Sequence, residues 1–217
     1  SSAASDVYKR QEQVRCGNVP DNQLGRTFEQ MARDAARIGH RDRALHYISC
    51  AVQRDGPTFN LLNLRAIYLE ELGDLARAES VYRQAAEWPT AGFNLALFLH
   101  RNKRHIEALE VVDQVMERSP QPAYLVLKGD IVSALGQQST ARLLHQDAIS
   151  RVVDPTKQSV WSLGWLTRCA SSLGHDDLAL KFRAASTAQI EAEEDSALQG
   201  ALLPERGDGA NEMRAAA

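Results

Sequence analysis

The sequence predicts an all-α protein built as a stack of helical hairpins, and three observations support this prediction. Hydrophobic residues make up 44% of the 217 residues and are mainly alanine and leucine, while aromatic residues reach 6%. That composition suits closely packed helices better than a β-sandwich or barrel. Apolar residues recur at helical intervals, and no segment reads convincingly as a strand. A short motif also returns at near-equal spacing along the chain.

The repeated motif is a glycine followed five residues later by an alanine that opens an apolar helical stripe. Four copies are complete, at Gly39 and Ala44, Gly73 and Ala78, Gly136 and Ala141, and Gly174 and Ala179. A further copy keeps Ala108 but has Lys103 in the glycine position. Each motif marks the turn and the second helix of a hairpin, so the sequence predicts five hairpins.

The elements of each hairpin follow from residues 62–89, the clearest copy. Apolar residues there keep helical spacing on both sides of Gly73 and Asp74. Gly73 supplies the positive φ that ends the first helix, and Asp74 can cap the second. We expect the same capping role where His40 or Gln137 follows a turn glycine. In the next copy, residues 92–120, Pro120 lies just past the second helix and stops it.

The order of residues in these copies is similar to the tetratricopeptide repeat (TPR) pattern. In the first helix a large apolar residue is followed four positions later by a small residue, and three positions after that by another apolar residue. The second helix then has the anchor alanine, an aromatic or aliphatic residue and another alanine, and proline follows. Ala32, Ala66, Ala96 and Gly129 take the small position, and Thr167 replaces it in the last copy. The resemblance covers residues 25–190 and implies a right-handed α-solenoid of about five TPR-like helical hairpins.

The resemblance also implies a function, a protein-protein interaction module or scaffold. Its first helices would line a concave groove that holds a peptide or a partner helix. Phe93 and Leu97 are expected to be exposed there as anchors for an apolar side chain, and Asn60 and Asn63 to clamp a peptide backbone. The predicted groove residues are Arg33, Arg37, Asn60, Asn63, Ile67, Phe93, Leu97, Arg101 and Arg168.

The expected ligand is an apolar or mixed peptide. Chaperone adaptors of the TPR superfamily grip acidic C-terminal tails with a carboxylate clamp of lysine, asparagine and arginine. Of the matching positions in this sequence, only Asn63 agrees with that clamp. Trp161 and Trp165 are four residues apart on one predicted helix face. We expect them to pack the last hairpin, with an aromatic partner site as the alternative.

No catalytic motif occurs in the sequence, so we predict that the chain is not an enzyme and uses no cofactor. His100 and His105 are five residues apart across a turn, which is poor spacing for a shared metal ion. Cys16, Cys50 and Cys169 are odd in number and far apart, which indicates free thiols. No metal site is predicted.

Charge and hydropathy argue against two further classes, nucleic-acid-binding proteins and membrane-spanning proteins. The net charge of -3 is small, and basic residues are interspersed with acidic ones, which argues against a nucleic-acid surface. No run of 18 apolar residues is present, so no membrane-spanning helix is expected. Cytoplasmic localisation is the favoured expectation, and the sequence leaves the oligomeric state open.

Four segments are predicted. Residues 1–11 resemble a translated sequencing adapter, which implies that the natural chain starts upstream. Residues 12–24 form a lead-in, residues 25–190 the repeat domain, and residues 191–217 an acidic helix end followed by a disordered tail. Two alternatives therefore stay open: the array is the recognition arm of a longer enzyme or chaperone ATPase, or it is a periplasmic or secretion assembly factor.

Overall fold

The computed structural model describes residues 2–15, 18–86 and 88–202, and this part of the chain is helical without a strand. It contains eleven α-helices and two short 3-10 helices, Asp21–Gln23 and Pro155–Lys157. The α-helices are α1 (Ser2–Arg15), α2 (Leu24–Arg37), α3 (Arg41–Asp55), α4 (Phe59–Glu71), α5 (Leu75–Ala85), α6 (Pro89–Arg101), α7 (His105–Arg118), α8 (Pro122–Ala134), α9 (Gln138–Ser150), α10 (Val160–Ser172) and α11 (Asp176–Leu202). The predicted all-α class is confirmed.

Helices α2 to α11 pair into five antiparallel hairpins, each with a first and a second helix. The pairs are α2 with α3, α4 with α5, α6 with α7, α8 with α9, and α10 with α11. Each second helix also packs against the first helix of the next hairpin, and α1 packs against α2. From α4 to α10, successive first helices contact one another and form one wall of the stack, which we call the inner wall.

All five hairpin turns close in the same way. The residue after the turn donates its backbone N–H to a carbonyl five residues earlier, as from Asp74 to Leu69 and from Arg104 to Leu99, at 2.9 Å each. The turn residue has positive φ in every case, including Lys103 with φ of 61°. The Asp74 side chain accepts from the N–H of Arg77, whereas His40 and Gln137 make no side-chain capping bond. Capping is thus confirmed at Asp74 and wrong at the other two.

The small residues of the motif lie where the helices approach most closely. Ala44, Ala78 and Ala108 have no exposed surface, and Ala32, Ala66 and Ala96 are equally buried. A larger side chain would overpack these positions. Gly129 takes the same position in α8, and an added Cβ there would lie 2.3 Å from Cδ2 of His145. His145 therefore packs directly on the glycine backbone of α8.

The unequal motif spacing has two structural causes. Helix α5 is the shortest of the second helices, at 11 residues, which shortens the interval between Ala78 and Ala108. The long interval before Ala179 contains the connection between α9 and α10 with its 3-10 turn. Gln189 in α11 donates to the carbonyl oxygens of Thr156 and Gln158 at 3.1 and 2.9 Å, so the last helix holds this connection in place.

The two ends of the chain are helical as far as they are described. Helix α1 includes most of the segment that resembles an adapter, and Arg10 forms an ion pair with Asp34 of α2. Helix α11 carries the exposed acidic residues Glu191, Glu193 and Glu194 and continues to Leu202. Residues 203–217, the greater part of the predicted tail, lie outside the described residues. Among the described helices, none is long and apolar enough to cross a membrane.

Candidate peptide-binding surface

An amide pair joins two first helices on the inner wall. Nδ2 of Asn94 in α6 donates to Oδ1 of Asn63 in α4 at 2.7 Å. Nδ2 of Asn63 and Oδ1 of Asn94 have no hydrogen-bond partner among the described residues. Asn60 lies one turn before Asn63 and is exposed. The wall therefore presents free amide donors and acceptors at one place, including Asn94, which the sequence prediction missed.

The predicted exposure of Phe93 is wrong. Its side chain is 1% exposed because aromatic rings from α8 and α10 cover it. The ring of Phe93 lies 5.3 Å from that of Tyr124, 4.7 Å from that of Trp161 and 5.1 Å from that of Trp165, between centroids. We call these four residues the aromatic cluster. Phe93 is thus a core residue. Both tryptophans pack against it across hairpins, and Trp161 keeps 37% of its surface exposed.

The aromatic cluster fills the inner wall between α6 and α10. Trp165 packs against both the core of the middle hairpins and the core of the last two hairpins. Leu97 and Ile67 are half-buried and pack against the same central core, so each offers a partial apolar surface. The accessible part of the inner wall therefore includes α4 and the polar face of α6, and Trp161, Gly164 and Arg168 of α10 are exposed as well.

The four predicted arginines are exposed but paired. Arg33 contacts Glu29 at 2.5 Å and Arg37 contacts Asp34 at 2.7 Å, both within α2. Arg101 lies 3.5 Å from Glu70 of α4, and Arg168 lies 2.8 Å from Asp130 of α8. The positive charge of these arginines is therefore largely neutralised by neighbouring carboxylates. Such exposed pairs contribute little to stability.

Two carboxylates on first helices, Glu70 and Asp130, connect the inner wall to the second helices. Glu70 accepts a hydrogen bond from the Tyr82 hydroxyl at 3.1 Å. Burial raises the pKa of Tyr82, and the negative charge of Glu70 raises it further, so the phenol stays protonated. Asp130 lies 3.1 Å from Nε2 of His145, and its partner Arg168 also lies over the Trp165 ring at 4.3 Å. These contacts hold the wall residues in fixed orientations.

The titratable groups form no recognisable catalytic arrangement in the described part of the chain. Contrary to the sequence expectation, His100 and His105 are adjacent, with their Nδ1 atoms 3.1 Å apart. No group of three or more histidine, cysteine, aspartate or glutamate side chains is placed to hold a metal ion among the described residues. Cys50 and Cys169 are free thiols, and burial raises the pKa of Cys169 to about 12, which disfavours a thiolate. Cys16 lies outside the described residues.

Comparison with known proteins supports the fold. No protein-family model matches the sequence, and no curated protein matches it either. Among solved structures, BtubC (BKLC) from P. vanneervenii is similar with a TM-score of 0.54 and 14% identity, covering 89% of this chain and 90% of its own. TTC0263, a thermophilic TPR protein in Thermus thermophilus, has a TM-score of 0.52 and 18% identity, covering 82% and 97%.

A third similar structure is MamA, from residue 41 to its end, of Desulfovibrio magneticus RS-1. It has a TM-score of 0.50 and 18% identity, covering 78% of this chain and 96% of its own. The chain is therefore a helical-repeat protein, and its fold is a TPR-like α-solenoid of five hairpins. The fold predicted from the repeated motif is confirmed.

Proposed function

We propose that this protein is a non-catalytic interaction module that holds an extended segment of a partner protein against α4 and α6 of the inner wall. The observation that carries the proposal is the amide pair of Asn63 and Asn94. An extended peptide exposes a backbone N–H and a C=O at each residue, and both need hydrogen-bond partners when they leave water.

The amide pair matches that need. Because Asn63 uses its oxygen and Asn94 uses its nitrogen in the mutual bond, the NH2 group of Asn63 remains free to donate and the oxygen of Asn94 remains free to accept. Asn60 adds a further exposed amide on the face of α4 that carries Asn63. The mutual bond also fixes both amide planes, which lowers the conformational entropy lost when a peptide binds.

Apolar contacts would come from Ile67 and Leu97, which each follow the small residue of their helix. Both side chains are half-buried, so each keeps part of its surface free for a ligand side chain. With Phe93 inside the aromatic cluster, this apolar surface is smaller than the sequence implied. We therefore expect a peptide of mixed composition bound mainly through its backbone.

A display selection with random 12-residue peptides on the immobilised protein tests the proposal. Enriched peptides should bind the Asn63→Ala, Asn94→Ala double variant at least tenfold more weakly, because two backbone hydrogen bonds are lost. The matched control is Gln53→Ala with Gln114→Ala, which removes exposed amides from the second helices α3 and α7. Equal affinity of the enriched peptides for both double variants would contradict the proposed site.

A further inference from the structure

One half-buried cation on the side of the second helices has no counterion. Arg65 of α4 is half-buried, and its Nε is inaccessible to solvent yet makes no hydrogen bond. No carboxylate pairs with its guanidinium among the described residues. A charged guanidinium that is partly withdrawn from water is unfavourable without a counterion, so a negatively charged partner is expected.

The Arg65 side chain lines a pocket between α3 and α5. Ser49 lies on one side of this pocket, and Arg77, Ser80 and Gln84 lie on the other. The Ser49 hydroxyl donates to the carbonyl of Leu45, so its oxygen can still accept a hydrogen bond but offers no negative charge. Arg77 adds a second guanidinium, which is paired with Asp74, a residue outside the pocket lining. Arg65 is therefore the pocket cation without a counterion, and the pocket is rich in hydrogen-bond donors.

The fourth hairpin has a cation at the repeat position that Arg65 occupies in the second hairpin. Lys128 precedes the small residue Gly129 as Arg65 precedes Ala66, so the two cations occupy the same position in the repeat. Lys128 is paired with Asp113 of α7 at 2.7 Å. Asp113 follows the anchor Ala108 by five residues, and the residue at that position in α3 is Ser49. The pocket at Arg65 thus has the cation of this arrangement without its carboxylate.

We propose that the Arg65 pocket binds a carboxylate supplied by a ligand, which takes the place that Asp113 takes beside Lys128. The carboxylate belongs either to an acidic side chain of a partner protein or to a small free acid. A carboxylate accepts two hydrogen bonds from one guanidinium, so it would pair with the guanidinium of Arg65 as the missing counterion. This site is separate from the inner wall and independent of the proposed peptide binding.

The Nε–H signal of Arg65 in ¹⁵N-edited NMR spectra reports on carboxylate binding to its guanidinium. Sodium acetate, titrated against sodium chloride at constant ionic strength, should move that signal in a saturable manner. The shift should be at least three times that of Arg43, an exposed arginine on α3. The capped tripeptide Ala-Glu-Ala forms a second arm. Stronger binding of the tripeptide than of acetate assigns the site to a protein side chain, and the reverse order assigns it to a free acid.

Three variants complete the test. Ser49→Asp places a carboxylate at the position of Asp113, so the Arg65 signal should already be shifted and the acetate response should fall at least fivefold. Arg65→Met introduces the residue type that α2 has at the same repeat position, Met31. This variant should no longer bind acetate specifically. Lys128→Met should leave the Arg65 response unchanged. A response no larger than that of Arg43, a response retained in Ser49→Asp, or tighter binding of inorganic phosphate than of acetate would overturn the proposal.

Discussion

The indole of Trp165 in α10 stands edge-on against the ring of Phe93 in α6, with centroids 5.1 Å apart and an interplanar angle of 85°. The contact joins the fifth hairpin to the third across the inner wall. Repeat proteins are stabilised mainly by contacts between neighbouring repeats, and this contact between non-adjacent hairpins adds coupling beyond those interfaces. The aromatic cluster therefore makes the C-terminal three hairpins more cooperative than a simple stack.

Replacement of Trp161 tests the contribution of the aromatic cluster. Trp161 and Trp88 are equally exposed, at 37% and 38%, but Trp161 contacts the rings of Phe93, Tyr124 and Trp165. Trp161→Ala should lower the free energy of unfolding by about 1–2 kcal/mol more than Trp88→Ala, because aromatic pairs add to simple burial. Urea denaturation followed by circular dichroism measures both variants. Equal losses would show that the ring contacts contribute no stability of their own.

The burial of Phe93 shows where sequence reasoning stops. The repeat position of Phe93 was predicted correctly, and that position faces the inner wall. The residues that cover it lie in another hairpin, and no local pattern connects residue 93 with residues 161 and 165. The two tryptophans were recognised as sharing one helix face, but the curvature that brings them to Phe93 arises from the packing of the whole stack.

Lys103 offers a way to stabilise the protein through one turn. Its φ of 61° is in the left-handed region, where the four other hairpin turns have glycine. Lys103→Gly should raise the free energy of unfolding by about 0.5–1 kcal/mol, since the left-handed strain of about 1–2 kcal/mol exceeds the entropy cost of glycine. Differential scanning calorimetry should show a melting temperature about 1–4 °C higher.

The control for this turn is Lys103→Ala, which removes the charge but keeps a Cβ in the left-handed conformation. It should change the free energy of unfolding by less than about 0.5 kcal/mol. An equal gain from alanine and glycine would mean that the lysine charge, and not the backbone conformation, determines the effect.

The turns were the most predictable part of the fold. A turn residue at a fixed distance from an alanine is a local signal, because the positive φ and the close helix approach depend on neighbouring residues. Lys103 was placed correctly because Ala108 and the apolar stripe preserved the frame around it. The inner-wall partners were less predictable: the bond between Asn63 and Asn94 joins two helices whose relative register the repeat pattern leaves undetermined.

His100 should make stability depend on pH. Burial lowers the pKa of His100 from its ordinary value, and the adjacent His105 lowers it further. The neutral imidazole is therefore favoured in the folded state, and the unfolded state binds more protons between the folded pKa and the ordinary value near 6.5. This contribution to stability is present above pH 7 and is lost as the pH falls through the folded pKa of His100.

Urea denaturation at pH 7.5 and pH 5.0 measures this effect. The loss of unfolding free energy on acidification should be smaller in His100→Gln than in the unsubstituted protein. His40→Gln, at an exposed position in the first turn, should show the same loss as the unsubstituted protein. If His100→Gln kept the full pH dependence, another group would have to be responsible for it.

Two helical glycines should respond in opposite directions to the same substitution. An added Cβ at Gly164 of α10 meets no atom within 4 Å, so Gly164→Ala should raise the free energy of unfolding by about 0.5–1 kcal/mol through helix propensity alone. At Gly129 the same Cβ would lie 2.3 Å from Cδ2 and 2.4 Å from Nε2 of His145. The imidazole would have to leave its contacts with the Val126 carbonyl and Asp130, at 3.2 and 3.1 Å.

Gly129→Ala should therefore lower the free energy of unfolding by about 1 kcal/mol, because an overpacking cost of about 1–3 kcal/mol exceeds the gain in helix propensity. Chemical denaturation of both single variants, and of Gly129→Ala combined with His145→Ala, measures the balance. Removal of the imidazole should make the alanine at position 129 favourable, so the double variant should be more stable than His145→Ala alone. Stabilisation by Gly129→Ala in the presence of His145 would show that α8 and α9 do not approach closely at this glycine.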